Sequence, residues 1–129
     1  MSETIFSKII AGEIPCHKVY EDDTTLAFLD INPVQPGHTL VIPKTAAASV
    51  WDLDPTVYSA LMGTTQKVAQ RLRSVLAVPF VGEKIVGVDV AHAHVHLIPF
   101  STVADYDARP ANDEPDHASL SAMANKLAF

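Results

Sequence analysis

The segment Ala91-His92-Ala93-His94-Val95-His96-Leu97-Ile98-Pro99 sets three imidazoles at alternate positions. On a strand, successive side chains face opposite ways, so His92, His94 and His96 share one face and Ala93, Val95 and Leu97 share the other. The apolar set belongs on a core. Neighbouring imidazoles then stand about 7 Å apart at Cα, from a rise of ~3.3 Å per residue. Two chemistries suit such a row. In the first, His92 and His94 supply two ligands to zinc, and His38, Asp30 or Asp89 completes the site. In the second, a neutral imidazole attacks phosphorus while its neighbours donate hydrogen bonds to phosphoryl oxygens and the leaving group. An ordinary pKa of about 6.5 lets one ring be neutral while another is protonated. The plain alternative is an exposed histidine-rich sheet face without chemistry, and spacing alone leaves all three open.

Composition narrows the partners. The chain has 129 residues, 48% of them hydrophobic and 19% charged, which suits one modest globular domain. Nine Lys plus Arg against fifteen Asp plus Glu give a net charge of −6, so a nucleic acid polymer is not an expected partner. A small anion remains compatible where a local site supplies donors. Cys16 is the sole cysteine, which excludes an internal disulfide and a multi-cysteine zinc site. No apolar run approaches the ~18 residues of a membrane span, and Met1-Ser2-Glu3 opens no export signal. The expectation is a soluble, cytoplasmic protein.

The elements that must position the histidines can be read in order. Ser2 is placed to cap a short helix with Ile5, Phe6, Ile9 and Ile10 on one face, and Gly12 to end it. Lys18 to Tyr20 and Thr25 to Leu29 flank the acidic turn Glu21-Asp22-Asp23, which predicts a hairpin. Asn32-Pro33 and Pro36-Gly37 make a rigid loop; His38 to Ile42 follows as a strand that Pro43 stops. Asp54-Pro55 predicts a helix start, with Asp54 capping and Val57, Leu61, Val68, Leu72 and Leu76 as one apolar stripe before Pro79. Gln66, Lys67, Gln70, Arg71 and Arg73 read as its solvated face. Phe80 to Val90 alternates loosely as a strand with bends at Gly82 and Gly87, and Ala91 to Phe100 is the last strand. Asp105, Asp107, Asp113, Glu114 and Asp116, with Pro110 and Pro115, predict a surface loop before a helix over His117 to Leu127. The fold class expected is α+β, an antiparallel sheet of about five strands with a short N-terminal helix and one long helix.

His-Ala-His-Val-His-Leu-Ile matches the His-φ-His-φ-His-φ-φ signature of the histidine triad (HIT) family of nucleotide hydrolases and transferases. The resemblance continues through Thr4-Ile5-Phe6-Ser7-Lys8-Ile9-Ile10, Ala27-Phe28-Leu29-Asp30-Ile31-Asn32 and Pro36-Gly37-His38-Thr39-Leu40-Val41-Ile42-Pro43-Lys44. It covers residues 1–101, a HIT-like domain; 102–129 are expected as an acidic loop and tail packed on the same domain. By this resemblance His94 is the nucleophile, forming a covalent nucleotidyl-histidine at the α-phosphate, and His96 contacts the scissile bridging atom. His92 and His38 resemble a supporting pair; alone, His38 would read as a hydrogen-bonded histidine at a strand end. Phe6, Ile9, Phe28 and Ile31 match positions that enclose the base, and Asp30 the carboxylate that holds the ribose hydroxyls. The backbone at Asp89 and Val90 matches the phosphate loop.

Departures from the pattern matter as well. Related Hint-type proteins usually carry Gly-Gln-Ser-Val before the triad, and this chain has Gly87-Val88-Asp89-Val90, a carboxylate for a serine that donates to phosphate. The Asp89 side chain must therefore turn away, be protonated or hold a cation. Some bacterial members bind structural zinc through Cys-x-x-Cys, and here that stretch is Thr4-Ile5-Phe6-Ser7, so no metal is expected there. The resemblance implies a homodimer with sheets joined across two chains, a nucleotide substrate with a purine base, and no required cofactor, with a divalent cation compatible. The substrate is expected among phosphoramidates, aminoacyl-adenylates and dinucleoside polyphosphates. A zinc-dependent hydrolase and a nucleotide-binding protein with weak catalysis are the alternatives.

Overall fold

The computed structural model describes residues 3–110 and 114–129. Its centre is an antiparallel sheet in the order β1-β2-β3-β5-β4, formed by Lys18–Glu21, Thr25–Leu29, Thr39–Pro43, Val95–Phe100 and Phe80–Lys84 for β1, β2, β3, β5 and β4. Among the described residues four α-helices accompany it, α1 (Ile5–Ile10), α2 (Pro55–Leu76), α3 (Val103–Asp107) and α4 (His117–Leu127), with a short 3-10 turn at Val50–Asp52. The α+β architecture, with a short first helix and one long helix, is the one the sequence predicted.

Strand alternation gives the sheet two unlike faces. Ala27, Leu29, Val41, Val95 and Leu97 pack with Leu61, Val68 and Leu72 of α2 and with Leu120, Ala124 and Leu127 of α4. Leu26, Phe28, Leu40 and Ile42 form a smaller cluster on the other face, under Phe6 of α1. The first cluster holds the fold. The second borders the site.

Several local expectations are corrected. Ser2, the expected cap of α1, lies outside the described residues; Thr4 is the cap, its hydroxyl accepting from the Ser7 amide at 3.1 Å while Ser7 Oγ accepts from the Thr4 amide at 2.8 Å. Gly12, at φ +80°, follows the end of that helix as predicted. Asp54 stands at the N-cap of α2 with Pro55 inside, yet its side chain makes no capping bond. Arg71 is not part of a wholly solvated face: its guanidinium donates to the carbonyls of Leu127 and Ala128, tying α2 to the end of α4.

The two last strands are shorter than expected. β4 ends at Lys84, and the chain then runs as a loop in which Gly87 takes φ +74°. β5 begins only at Val95, because Ala93 donates its amide to the Ala47 carbonyl at 2.7 Å, outside the sheet. Only His96 of the three histidines therefore lies on the strand. The predicted surface loop after Ser101 contains a helix, α3, capped by the Thr102 hydroxyl; Asp113 of that stretch lies outside the described residues. Gly82 is not a bend but a contact point, since a Cβ there would overlap the Tyr106 ring of α3. The Tyr106 hydroxyl donates to the Glu83 carbonyl at 3.1 Å. α4 covers His117–Leu127 as expected, with Asp116 accepting from the Ser119 amide.

Candidate active site

Register places the site on the sheet. His96 of β5 is opposite Leu40 of β3, Leu40 is opposite Phe28 of β2, and Phe28 is opposite Lys18 of β1. Cross-strand partners share a face, so His96, Leu40 and Phe28 form a continuous floor on the side away from α2. Phe6 of α1 stands over this floor, its ring edge-on to His94 at 5.1 Å and to Phe28 at 5.6 Å.

Hydrogen-bond partners decide which nitrogen of each ring carries its proton. The Val34 amide donates to His38 Nδ1 at 3.1 Å, so that nitrogen is bare and the neutral ring carries hydrogen on Nε2. His38 Nε2 lies 3.0 Å from His96 Nδ1 and donates to it. The neutral His96 ring then carries its own hydrogen on Nε2. His94 Nδ1 lies 2.7 Å from the His92 carbonyl, an acceptor only, so Nδ1 bears the hydrogen and Nε2 of the neutral ring keeps its lone pair. His92 Nε2 donates to the Pro43 carbonyl at 2.9 Å. A ring with a free lone pair thus stands beside a ring with an unshared N–H, centroids 5.0 Å apart.

Electrostatics support this protonation pattern. Burial, with the like charge of Lys84 nearby, pushes His38 down from 6.5 to about 4. Burial does the same to His96, also to about 4, with neighbouring His38 and His94 adding to the shift. His92 is lowered by burial too. Asp30 moves the other way, raised by burial although its Oδ1 accepts from the Asn32 amide at 2.8 Å. Its Oδ2 stands 3.6 Å from His38 Nε2, too long for a hydrogen bond, and a neutral His38 makes no ion pair with it.

A cavity of about 530 Å³ opens over the floor. The predicted Phe6, Ile9, Phe28 and Ile31 line its apolar part, and Asp30, Asp89, Val90, His94 and His96 also border it. His38 and His92 do not; both are buried, 4% and 2% exposed. Asp89 is exposed, and among the described residues its carboxylate has no hydrogen-bond or ion-pair partner. Among the lining residues that the sequence did not single out for the site are three that could do chemistry, Cys16, His17 and His117. Their sequence neighbourhoods carry no catalytic spacing; only the folding of α4 against β1 brings His117 to the cavity.

The zinc arrangement built on His92 and His94 is not assembled. Among the described residues the group with metal-ligand proximity is Asp30, His38 and His96, with donor atoms within 4.8 Å of one another. This set does not fit a metal either. A metal on His38 Nε2 requires the proton on Nδ1, where the Val34 amide already points its hydrogen.

Comparisons with known proteins agree with the geometry. The family described as HIT domain matches residues 11–103. The protein hit of Bacillus subtilis is 44% identical over 101 residues, 74% of this chain and 69% of that protein. A purine nucleoside phosphoramidase of Escherichia coli is 38% identical over 103 residues, 74% of this chain and 86% of that protein. Among solved structures, a Hit-like protein involved in cell-cycle regulation from Bartonella henselae, bearing an unknown ligand, superposes with a TM-score of 0.83 at 32% identity, covering 97% of this chain and 94% of that one.

Proposed function

Because this chain belongs to the HIT domain family, we propose that it hydrolyses or transfers at the α-phosphate of a purine nucleotide through a covalent intermediate on His94. The observation that carries this reading is the His94 ring, whose Nδ1–H is held by the His92 carbonyl and whose Nε2 lone pair is left for attack. The likeness to a purine nucleoside phosphoramidase supports the substrate class.

The steps follow from the proton positions. His94 Nε2 bonds to the α-phosphorus while the bond to the bridging nitrogen or oxygen breaks, its electron pair leaving on that atom. His96 Nε2–H hydrogen-bonds the bridging atom as charge builds there, and the departing group takes a proton from solvent. Water then attacks the nucleotidyl-histidine, gives up a proton to solvent, and returns the electron pair to His94. His38 keeps His96 in the donating tautomer, and His92 fixes His94 through its carbonyl. Asp30 holds the ribose hydroxyls, while Phe6, Ile9, Phe28 and Ile31 enclose the base. The backbone at Asp89 and Val90 faces the phosphate.

The same proposal includes a cytoplasmic homodimer joined through the edge of the sheet. β4 is an edge strand, and Phe80 on it is 53% exposed. No helix among the described residues is long and apolar enough to cross a membrane. Light scattering on the purified protein reads the dimer.

The deciding experiment is incubation with adenosine 5′-phosphoramidate and diadenosine polyphosphates, followed by intact-mass measurement. The expected result is a gain of one nucleotidyl group that His94→Ala abolishes. Tight nucleotide binding with no turnover and no adduct would support a binding protein instead.

A further inference from the structure

His17, just before β1, and His117, the first residue of α4, lie a hundred positions apart, yet His17 Nε2 and His117 Nδ1 are 3.0 Å from each other. Their rings stack with centroids 5.2 Å apart and planes 30° from parallel. Both border the cavity that His94 and His96 border. The two pairs occupy opposite ends of it. His17 accepts the Leu29 amide at 3.0 Å, alongside the end of β2, whereas His96 sits on β5. Three strand spacings separate β1 from β5, about 14 Å. Phe28 and Leu40 lie between. With a phosphate at His94 and a base over Phe28, the outer edge of the base meets the His17–His117 pair.

One proton is shared between His17 Nε2 and His117 Nδ1, and the remaining nitrogens follow from where it sits. If His17 donates, its Nδ1 is an acceptor and His117 Nε2 carries hydrogen. If His117 donates, His117 Nε2 is an acceptor and His17 Nδ1 carries hydrogen. Ser121 Oγ, 3.5 Å from His17 Nδ1, can donate or accept and so suits either state. The pair therefore presents a hydrogen-bonding atom that can change sign.

We propose that His17 and His117 determine base specificity, accepting purines whose outer edge carries either an amino or an oxo group and disfavouring pyrimidines, whose single ring falls short of the pair. This rests on the nucleotide reading of the cavity. His117 lies in α4, beyond the residues that the HIT domain family matches, so the contact is a property of this chain's tail.

The test is steady-state kinetics with the 5′-phosphoramidates of adenosine, guanosine and cytidine, on the wild-type protein and on His117→Ala and His17→Ala. Wild-type kcat/KM is expected to be similar for the two purines and lower for cytidine. Each variant should lower the purine-to-cytidine ratio about three- to tenfold, the range of one neutral hydrogen bond, mainly through KM. His117→Gln, whose amide offers both a donor and an acceptor, should recover much of the ratio and keeps the test open if an alanine variant unfolds. Equal losses on all three substrates, an unchanged ratio, or a wild-type protein that strongly separates adenosine from guanosine would overturn the inference while leaving the nucleotide reading intact. Wild-type protein that neither binds nor turns over any of the three overturns both.

Discussion

His38 donates from Nε2 to His96 Nδ1 across 3.0 Å, and the Val34 amide fixes the direction of that bond from behind. His96 is thereby committed to presenting an N–H, never a lone pair, from its other nitrogen. On the proposed mechanism, donor polarity at the leaving group is thus set by a backbone amide in the Asn32–Gly37 loop, two rings away.

His38→Phe removes this control without touching the cavity wall. The expected loss is about tenfold in kcat with KM little changed, the size of one neutral hydrogen bond. His38→Gln, which can donate from its side-chain nitrogen, should restore part of it. An effect confined to KM would contradict the tautomer assignment.

The histidines near the phosphate should be unequal. His94→Ala should remove the nucleotidyl adduct and essentially all turnover, while His96→Ala should cost on the order of 10²–10⁴ in rate. Rapid-quench assays with intact-mass detection separate the two. Adduct formation by His94→Ala would place the nucleophile elsewhere.

Burial depresses His38 and His96 to about 4, so the unfolded chain binds more protons than the folded one between about pH 6.5 and pH 4. Stability from these neutral rings is full above about 6.5 and declines as pH falls towards 4. Urea denaturation across that window should show the decline, and His38→Phe should flatten it. The NMR signals of the two rings should stay in the neutral form at pH 5.5. A protonation step near 6.5 in either ring would be the contrary result.

Asp89→Ser replaces a cavity-wall carboxylate, which has no partner among the described residues, with a donor. KM for anionic substrates should fall by up to about fivefold, a modest gain because exposed charges are screened. The fall should shrink as salt is raised. Loss of a magnesium stimulation in the variant would show that Asp89 instead holds a cation.

Gly82→Ala should destabilise the protein by about 1–3 kcal/mol, since the new methyl meets the Tyr106 ring. In denaturant titrations the Gly82→Ala, Tyr106→Ala double variant should lose less than the sum of the singles. Additive losses would mean that the two residues do not share space.

Much of this molecule is local in its logic, and those parts are legible in the chain. The hairpin around Asp22, the stripe of α2 and the limits of α4 follow from turn residues and periodicity. The packing of Ala93, Val95 and Leu97 on the core follows from alternation, even though His92 and His94 precede the strand. What escapes is set by contacts between distant residues. The break between Ala91 and Val95 depends on an amide reaching Ala47, α3 depends on Tyr106 finding Gly82, and Arg71 turns inward because α4 ends beside it. The His17–His117 contact belongs to the same class, and no spacing in the chain announces it.

Alternation along β5 makes the length of this segment less tolerant than its composition. Val95 and Leu97 are buried against α2, while His96 faces the cavity. Replacing Val95 by Ile or Leu97 by Met changes volume on one side only. Inserting or deleting one residue ahead of His96 reverses the faces, sending an imidazole into the hydrocarbon core and an aliphatic side chain to the cavity. Folding and chemistry would fail in the same event, so natural variation here should appear as exchanges of side chain and not as changes in the number of residues.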